Sequence, residues 1–292
     1  MYRKSIAISL ALSALCLEAQ QPTAPEVGIV HVPDGSLRAV YGLPANFIYG
    51  ALLGKGVNAA AFSSTAGLVF RTGQIDYVSP AGAQIGVYST NERSPLLAAG
   101  PVSGGNQTAS ATGLAWLPSS KLLLIWSGAT PTQVQVEPLP GNVISLSPAA
   151  AGFADLIVSP AGSGLERLTI SLGTGQVVET ETLTTDGSLA YEQNGFLLLP
   201  GPDGLQVRFP DGRQQLIGIT TSAMQFEAIS DEWVHLSASE AGATAASHWL
   251  LHLDRGAQGE APLQLSELPA APGRVPKIMP RQVGNSKMRT AQ

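Results

Sequence analysis

The stretch QIDYVSPAGAQIGVYS, residues 74–89, joins two short strands of mixed polarity through a Pro-Ala-Gly turn. Related segments recur at EVGIVHVPDGSLRAVYG (26–42), LQVRFPDGRQQLIGI (205–219) and HWLLHLDRGAQGEAPLQLSE (248–267). The pentapeptide Val-Ser-Pro-Ala-Gly itself occurs twice, beginning at Val78 and at Val158. One hairpin unit that recurs along a chain is typical of a repeat architecture. The recurrence therefore predicts the fold class before any single residue does.

The turns themselves have a mechanical explanation. Proline presets φ for the first corner of a turn, and glycine supplies the positive φ that a later corner needs. An aspartate precedes glycine at four places, which are Asp34, Asp186, Asp203 and Asp211. These aspartates are interpreted as turn residues rather than ligands.

The composition favours many short strands. Only 13% of the residues are charged, 44% are hydrophobic, and the chain holds 32 glycines and 21 prolines. Turn formers at this frequency, together with abundant Val, Leu, Ile and Thr, favour strands joined by tight turns. No window after the first residues has a long helical period, so we expect little helix.

Strand patterns divide the chain into units of similar size. Residues 205–209 alternate apolar and polar positions, whereas residues 121–126 and 196–199 are almost continuously apolar, as in strands covered on both faces. Five units of up to four strands centre on 58–89, 112–146, 147–183, 187–219 and 224–269, the segment 98–112 is interpreted as a loop, and the hairpin 27–43 is left as a half unit. Units of this size predict an all-β fold, a β-propeller of five or six four-stranded blades closed by pairing of the chain ends. The turns 80–82, 210–212 and 255–256 should then lie at corresponding places.

Three turns carry a resemblance to a known family. Ser79–Gly82, Ser159–Gly162 and Thr184–Ser188 resemble the Ser-Pro-Asp-Gly turns of WD-repeat-like and Tol-associated periplasmic propellers. The chain departs from the WD pattern, because no Trp-Asp dipeptide ends a unit and no Gly-His pair opens one. The resemblance implies a divergent bacterial secreted β-propeller.

The first residues predict export. Arg3 and Lys4 precede the apolar stretch 6–15, and residues 1–19 are interpreted as a signal peptide with a cleavage site after Ala19 or after Cys16. Leu15 stands where lipid attachment at Cys16 would need a small residue. We therefore expect a periplasmic or secreted protein without a transmembrane segment in its mature chain.

The rest of the chain divides into three parts. Residues 20–26 are expected to be a linker, residues 27–269 the propeller domain and residues 270–292 a disordered basic tail. Residues 20–269 hold nine Lys and Arg against twenty Asp and Glu, whereas the tail holds five basic residues and no acid. The acidic domain argues against a nucleic-acid partner. The tail is expected to be solvated, with contact to the acidic domain or to an anionic surface as alternatives.

Recognised catalytic motifs are absent from the sequence. Residues 50–56, GALLGKG, have too short a spacing for a phosphate loop, and Gly56 stands where Ser or Thr would hold magnesium. The only cysteine, Cys16, lies in the leader, which excludes thiol chemistry and cysteine metal sites from the mature chain. Two carboxylate pairs could serve glycoside cleavage, Asp231 with Glu232 and Glu179 with Glu181. The first is interpreted as a turn, and the second as a pair facing water.

The histidines offer one metal candidate. On a strand, His248, Leu250, His252 and Asp254 share one face, so His252 and Asp254 could hold a metal with His235 as a third ligand. The favoured alternative is a strand with its polar face in water. No metal and no cofactor are therefore expected.

Aromatic residues and one glycosylation motif complete the candidates. The four tryptophans, Trp116, Trp126, Trp233 and Trp249, could line a sugar or peptide groove, but their apolar neighbours favour core packing. Asn106 begins an Asn-Gln-Thr acceptor motif within a Gly- and Ser-rich segment.

Two functions from different classes remain open. The first is a non-catalytic binding or scaffolding module, a monomer that binds an unknown protein or glycan of the cell envelope. The second is a hydrolase or lyase that acts on a saccharide or lactone with carboxylates in the propeller funnel. Titratable side chains from different blades that meet with strongly shifted pKa values would favour the enzyme, and a funnel of small apolar residues would oppose it. A third possibility is a component of an envelope complex with the tail as its contact.

Overall fold

The fold is built from strands that form six antiparallel sheets. The computed structural model describes residues 24–101, 111–150, 152–162, 164–185, 187–219, 223–239, 246–255 and 263–269. Within these residues there are 23 strands and no helix. The described part of the chain accordingly has no helical segment of the length and apolarity that a membrane span requires.

Each sheet is a blade made of consecutive strands. Blade 1 has three strands, which are β1 (Glu26–Val32), β2 (Ser36–Leu43) and β3 (Asn46–Gly54). Blade 2 contains β4 (Ala59–Phe62), β5 (Gly67–Arg71), β6 (Gln74–Val78) and β7 (Gln84–Ser89). Blade 3 contains β8 (Leu96–Pro101), β9 (Ala111–Leu117), β10 (Leu122–Trp126) and β11 (Thr132–Gln135).

The other three blades have four strands each. Blade 4 contains β12 (Gly141–Pro148), β13 (Phe153–Pro160), β14 (Leu165–Ser171) and β15 (Val177–Leu183). Blade 5 contains β16 (Tyr191–Gln193), β17 (Phe196–Gly201), β18 (Gly204–Arg208) and β19 (Gln214–Ile217). Blade 6 contains β20 (Ala223–Ala228), β21 (Trp233–Ser239), β22 (Ser247–His252) and β23 (Leu265–Glu267).

The blades form a closed ring, because a separate hydrophobic cluster lies between every neighbouring pair. Blades 6 and 1 share such a cluster just as consecutive blades do. The clusters contain Ile29 and Phe62 between blades 1 and 2, Leu68 and Trp126 between blades 2 and 3, and Trp116 and Leu156 between blades 3 and 4. They contain Leu165 and Leu197 between blades 4 and 5, Leu198 and Leu236 between blades 5 and 6, and Val30 and Leu250 between blades 6 and 1. Stacking removes both faces of the central strands from water, and this explains their apolar runs. The predicted all-β propeller is thus confirmed, with six blades.

Blade 1 differs from the other blades at the centre of the ring. In the four-stranded blades the first strand lies innermost, and β4 contacts both β8 and β20. The start of β1 lies beside the ends of β4 and β20, so β1 runs opposite to the inner strands. Its direction makes β1 equivalent to the second strand of the other blades. The described residues therefore supply five inner strands for six blades.

Small side chains lie where the inner strands β4, β8 and β20 meet. Ala61, Ala99 and Ala228 from three different inner strands pack together, with Leu97 against them. A methyl side chain lets these three strands approach one another closely.

Three of the five predicted units coincide with blades, and two are displaced. The units at 58–89, 187–219 and 224–269 correspond to blades 2, 5 and 6. The predicted units at 112–146 and 147–183 begin one strand later than blades 3 and 4, because β8, whose residues are LLAAGP, has the composition of a loop. Small and unpatterned residues give an inner strand little sequence signal. The half unit at 27–43 is larger than predicted, since β3 extends it to a three-stranded sheet. Within the described residues no strand from the chain end joins this sheet, and the predicted pairing of the chain ends lies outside them.

The two copies of Val-Ser-Pro-Ala-Gly lie in different turns. The copy at 78–82 connects the third and fourth strands of blade 2, whereas the copy at 158–162 connects the second and third strands of blade 4. Gly82 and Gly162 have a φ of 81° in both. The pentapeptide therefore forms a turn at different positions within a blade, and its recurrence does not indicate where a blade begins. The turn at 210–212 does match that at 80–82, between third and fourth strands.

Several predictions fall on residues outside the described ranges. They are the signal peptide, most of the linker, Asp186, Asn106, Gly256 and the basic tail. Two predicted turn aspartates are described in detail: Asp34 accepts a hydrogen bond from the Ser36 amide, and Asp211 accepts one from the Arg213 amide.

Candidate binding site at the seam between the first and last blades

At the seam, where blade 6 meets blade 1, no strand among the described residues is shared by the two blades. The amide of Ile29 donates to the carbonyl of Ile229 over 3.2 Å, and the amide of Ala45 donates to Ser266 Oγ over 3.1 Å. The backbones are so close at Gly28 that an added Cβ would lie 2.2 Å from the Ile229 oxygen. Glycine at position 28 is thus required for closure.

A groove follows the seam on one face of the propeller. It consists of two adjoining cavities of about 470 and 560 Å³, which share Glu26, Val27 and Trp233 as lining residues. The first extends over the turn after β2 and the end of β22, and the second over the turns that follow β4, β6 and β20. Turns from three blades therefore surround one opening, hereafter the seam groove.

Trp233 is the aromatic residue that lines both cavities of the groove. Its ring stacks on His252 with 4.4 Å between centroids and meets Phe47 edge-on at 5.6 Å. The indole is half-buried and lines both cavities. Two fixed ring contacts hold it in one orientation, which suits a surface for an aliphatic chain, a sugar face or a cation.

The described lining of the seam groove is acidic. Four carboxylates line it, and no lysine or arginine is found among the lining residues that the structure describes. The four are Glu26, Asp231, Glu232 and Asp254. Glu232 is 71% exposed and lies 3.5 Å from His252 Nε2. An opening with this charge attracts cationic groups.

The turn that carries two of these carboxylates is fixed by its neighbours. From blade 5, Gln193 Nε2 donates to the Ser230 carbonyl over 2.6 Å, and Asn194 donates to the Asp231 carbonyl. From blade 2, the Ser64 amide donates to Asp231 Oδ2 over 3.2 Å. The groove wall is therefore held in place before any ligand arrives, which lowers the entropic cost of binding.

A chain of hydrogen bonds lies deeper in the same seam. His31 Nδ1 of blade 1 lies 3.1 Å from Glu227 Oε1 of blade 6, and His235 Nδ1 lies 3.4 Å from Glu227 Oε2. His235 Nε2 lies 3.0 Å from His248 Nδ1. An ionised carboxylate only accepts, so both Nδ1 atoms that face Glu227 carry hydrogen.

The pKa values along this chain follow from burial and charge. Burial opposes a charge on His31, but the hydrogen bond and the negative charge of Glu227 outweigh it and raise the pKa of His31. Burial alone would raise the pKa of Glu227, but hydrogen bonds from His235 and His31 lower it. The pKa of His248 is lowered by burial and by His235. These directions describe an ion pair between blades 1 and 6.

The structure separates the residues considered for a metal. His252 lies against Trp233 and Glu232 at the groove, whereas His235 bonds to Glu227 and His248. In the part of the chain that the structure describes, no three potential ligands are grouped as an ion would need. The face predicted to lie in water is divided: Leu250 is buried in the seam cluster, whereas Asp254 is exposed and His252 is partly exposed at the groove.

A second polar cluster lies between blades 4 and 5. Arg167 forms ion pairs with Glu181 of its own blade and with Glu192 of blade 5, the latter at 3.4 Å. Glu192 is 5% exposed, and burial together with the charge of Asp155 raises its pKa to about 7. Burial also raises the pKa of Asp155, which accepts a 2.6 Å hydrogen bond from Thr169. A cavity of about 360 Å³ adjoins Asp155 and Arg167.

The two predicted carboxylate pairs therefore have different surroundings. Asp231 and Glu232 do occupy a turn, and that turn forms a wall of the seam groove. Glu181 pairs with Arg167 rather than facing water, whereas Glu179 is exposed. Trp116 and Trp126 are core residues, and Trp249 packs against the cluster of blades 5 and 6, so only Trp233 lines the groove.

Sequence reasoning missed His31, Glu227 and Glu192 as members of polar clusters. The available signal was a titratable residue inside an otherwise apolar strand, which a stacked-blade fold buries between blades. His31 and Glu227 are separated by 196 positions, so their pairing becomes visible only when the ring closes.

Comparisons with known proteins do not indicate a function. No protein-family model matches the chain, and no curated protein matches it. Among solved structures, the chain is similar to the β-propeller domain of Cps50 (Swd1) from Myceliophteria thermophila, with 12% identity, a TM-score of 0.47, and coverage of 82% of this chain and 83% of that one. It is also similar to a protein of unknown function from Bacteroides caccae, with 10% identity, a TM-score of 0.47, and coverage of 84% and 94%. The assignment of a β-propeller fold rests on the closed ring of six blades.

Proposed function

We propose that this chain is a non-catalytic binding module of the bacterial cell envelope, periplasmic or secreted, that holds an envelope protein or glycan in the seam groove. The observation that carries the proposal is the groove itself. Trp233 provides a fixed aromatic surface there, and four carboxylates line the opening. Turns on a rigid scaffold are the usual place for such recognition.

The proposed location is supported by the leader-like sequence. A positive start with Arg3 and Lys4, followed by ten apolar or small residues, has the composition of an export signal. Fractionation of cells that express the full gene tests the location directly. Recovery in the periplasm or medium supports it, and exclusive recovery in the cytoplasm contradicts it.

The binding proposal is tested with variants of one exposed side chain. Glu232→Lys reverses a charge in the groove, and Glu137→Lys makes the same change at an exposed position of blade 3 outside it. The wild type and both variants are compared for retention of purified envelope glycans and for capture of envelope proteins. We expect Glu232→Lys alone to lose at least tenfold in affinity for a captured ligand. Equal binding by all three proteins would contradict a role for the groove.

The second candidate function is a hydrolase or lyase that acts on a saccharide or lactone. One observation favours it: Glu192 and Asp155 come from different blades, and burial raises both pKa values, that of Glu192 to about 7. A carboxyl group that keeps its proton near neutral pH can serve as a general acid. Turnover of glycans or lactones that disappears in Glu192→Gln, without loss of folding, would favour the enzyme over the binding module.

A further inference from the structure

We propose that the seam groove is occupied by the basic segment of the same chain, residues 270–292, which an external ligand must displace. The inference rests on the proposed function in one respect, since it assigns an occupant to the same groove. It adds a regulatory property, because the chain would compete with its own ligand.

Charge complementarity is the first argument. The described lining of the groove holds four carboxylates and no lysine or arginine, and residues 270–292 hold five basic residues and no acidic one. Those basic residues are Arg274, Lys277, Arg281, Lys287 and Arg289. The stretch VPKIMPR, residues 275–281, places apolar Ile278 and Met279 between two cations. That mixture matches a groove in which an indole lies beside carboxylates.

The position at which the segment begins is the second argument. Leu268 is buried in the seam cluster with Val27 and Val30, and its amide donates to the His248 carbonyl over 2.8 Å. The chain therefore leaves blade 6 within the seam, at the end of the blade opposite Trp233. Seven residues of β21 span roughly 23 Å, and the nine residues from Pro269 to Lys277 reach up to ~30 Å. Lys277 and later residues can thus reach the groove.

The covalent link makes modest contacts sufficient. A short tether gives an effective concentration of about 1 mM or more, so a segment with only millimolar intrinsic affinity would still occupy the groove half of the time. Exposed ion pairs weaken as salt concentration rises. Occupation should therefore be high at low ionic strength and fall in concentrated salt.

Carbodiimide cross-linking of the full chain tests the contact directly, because it joins a carboxylate to a lysine amine only where the two touch. We expect monomeric products in which Lys277 or Lys287 is coupled to Glu26 or Glu232, identified by mass spectrometry and lost in about 1 M salt. Glu232→Gln should reduce them, and Glu137→Gln should leave them unchanged. Absence of groove products, or equal coupling to carboxylates all over the domain, would overturn the proposal.

Competition in solution provides the second measurement. The probe is a labelled synthetic peptide with the sequence of residues 270–292, titrated by fluorescence anisotropy into the full chain and into its Lys277→Gln, Arg281→Gln double variant. We expect the double variant to bind the peptide at least twofold more tightly, because its own segment, which fills the groove half of the time or more, no longer competes. Equal affinity for the two proteins, or no binding to either, would overturn the proposal.

The two proposals fail in different ways. If Glu232→Lys abolishes capture of an envelope ligand while cross-linking finds no contact with residues 270–292, the binding function stands and the internal occupant is excluded. If the cross-links form but no envelope ligand depends on the groove, the internal contact stands and the proposed function is contradicted.

Discussion

Glu227 shows how one carboxylate can join the two ends of a ring. It lies on the inner strand of blade 6, accepts from His31 of blade 1 on one oxygen, and faces His235 of its own blade with the other. A buried carboxylate without such partners would cost several kcal/mol. The pair therefore specifies which blade meets which, in addition to any net stability that it provides.

The His31–Glu227 pair predicts a pH-dependent closure of the ring. Because the pKa of His31 is raised in the folded protein, its contribution to stability is complete below its ordinary pKa of 6.5 and is lost as pH rises through the raised value. His31→Gln removes the charge but keeps a donor for Glu227. At pH 6 we expect the variant to be less stable by about 1–2 kcal/mol, with the difference shrinking above pH 7.

Urea unfolding of both proteins between pH 5 and 9 measures this difference. The lowered pKa of Glu227 works in the opposite direction, since its contribution is present above its ordinary value and lost as pH falls through the lowered one. A gap between wild type and His31→Gln that stays constant across this range would show that His31 is not charged in the seam.

Gly28 predicts a steric requirement at the same seam. A methyl group there would meet the Ile229 carbonyl at 2.2 Å, so Gly28→Ala must push two backbones apart. We expect a loss of about 1–3 kcal/mol in the free energy of unfolding. Gly218→Ala is the matched control, because nothing lies within 4 Å of its added methyl group. Equal stability of the two variants would mean that the seam accommodates the methyl group.

At the scale of the element, the interface between blades 4 and 5 raises the pKa of a buried carboxyl group. Glu192 lies on the short inner strand β16, faces Arg167 of β14, and keeps one buried oxygen without a protein partner. Its pKa of about 7 lies above the ordinary 4.5 because burial and Asp155 oppose ionisation more than Arg167 favours it. The folded state therefore holds its proton more tightly than the unfolded chain does.

This raised pKa predicts that Glu192→Gln stabilises the protein in alkaline solution. Stability from protonated Glu192 is complete below pH 4.5 and is lost as pH rises through about 7, whereas glutamine stays neutral throughout. We expect equal stability of wild type and variant near pH 4.5, and an advantage for Glu192→Gln on the order of 2 kcal/mol at pH 8. Thermal unfolding of both proteins at pH 4.5 and at pH 8 measures this difference. A variant that is less stable than the wild type at pH 8 would show that ionised Glu192 stabilises the fold.

Strands could be predicted from the sequence where polar and apolar residues alternate or where apolar residues form a long run. Strands without either pattern could not. The turn at 80–82 and the strands around it followed from Pro-Ala-Gly chemistry, because turn geometry is local. Inner strand β8 lacked any such signal, since small residues at a ring axis serve close packing rather than amphipathicity. The predicted units are therefore displaced by one strand from blades 3 and 4.

At the scale of the whole molecule, the ring was predictable and the site was not. Repeated units of similar length imply stacking of one sheet on the next, and stacking implies closure, because an open array would leave apolar faces in water. The seam groove depends instead on how the first and last blades meet. Trp233 and Glu26 are separated by about 200 residues, and neither carries a local pattern that indicates a shared cavity.

The contacts between blades 1 and 6 lead to a final prediction about cooperativity. Phe47 is buried in the seam cluster and contacts Trp233, so Phe47→Ala removes contacts between blades 1 and 6 alone. If the seam is needed by every blade, the slowest-exchanging amides of β9, on the far side of the ring, should lose the same protection as those of β21, by about 3–5 kcal/mol. Hydrogen exchange followed by mass spectrometry measures both segments at once. Leu216→Ala, at an exposed position of blade 5, should change neither. Loss of protection confined to β1, β2 and β21 would mean that the other blades stay folded as an open array. The seam would then stabilise only the two blades that it joins.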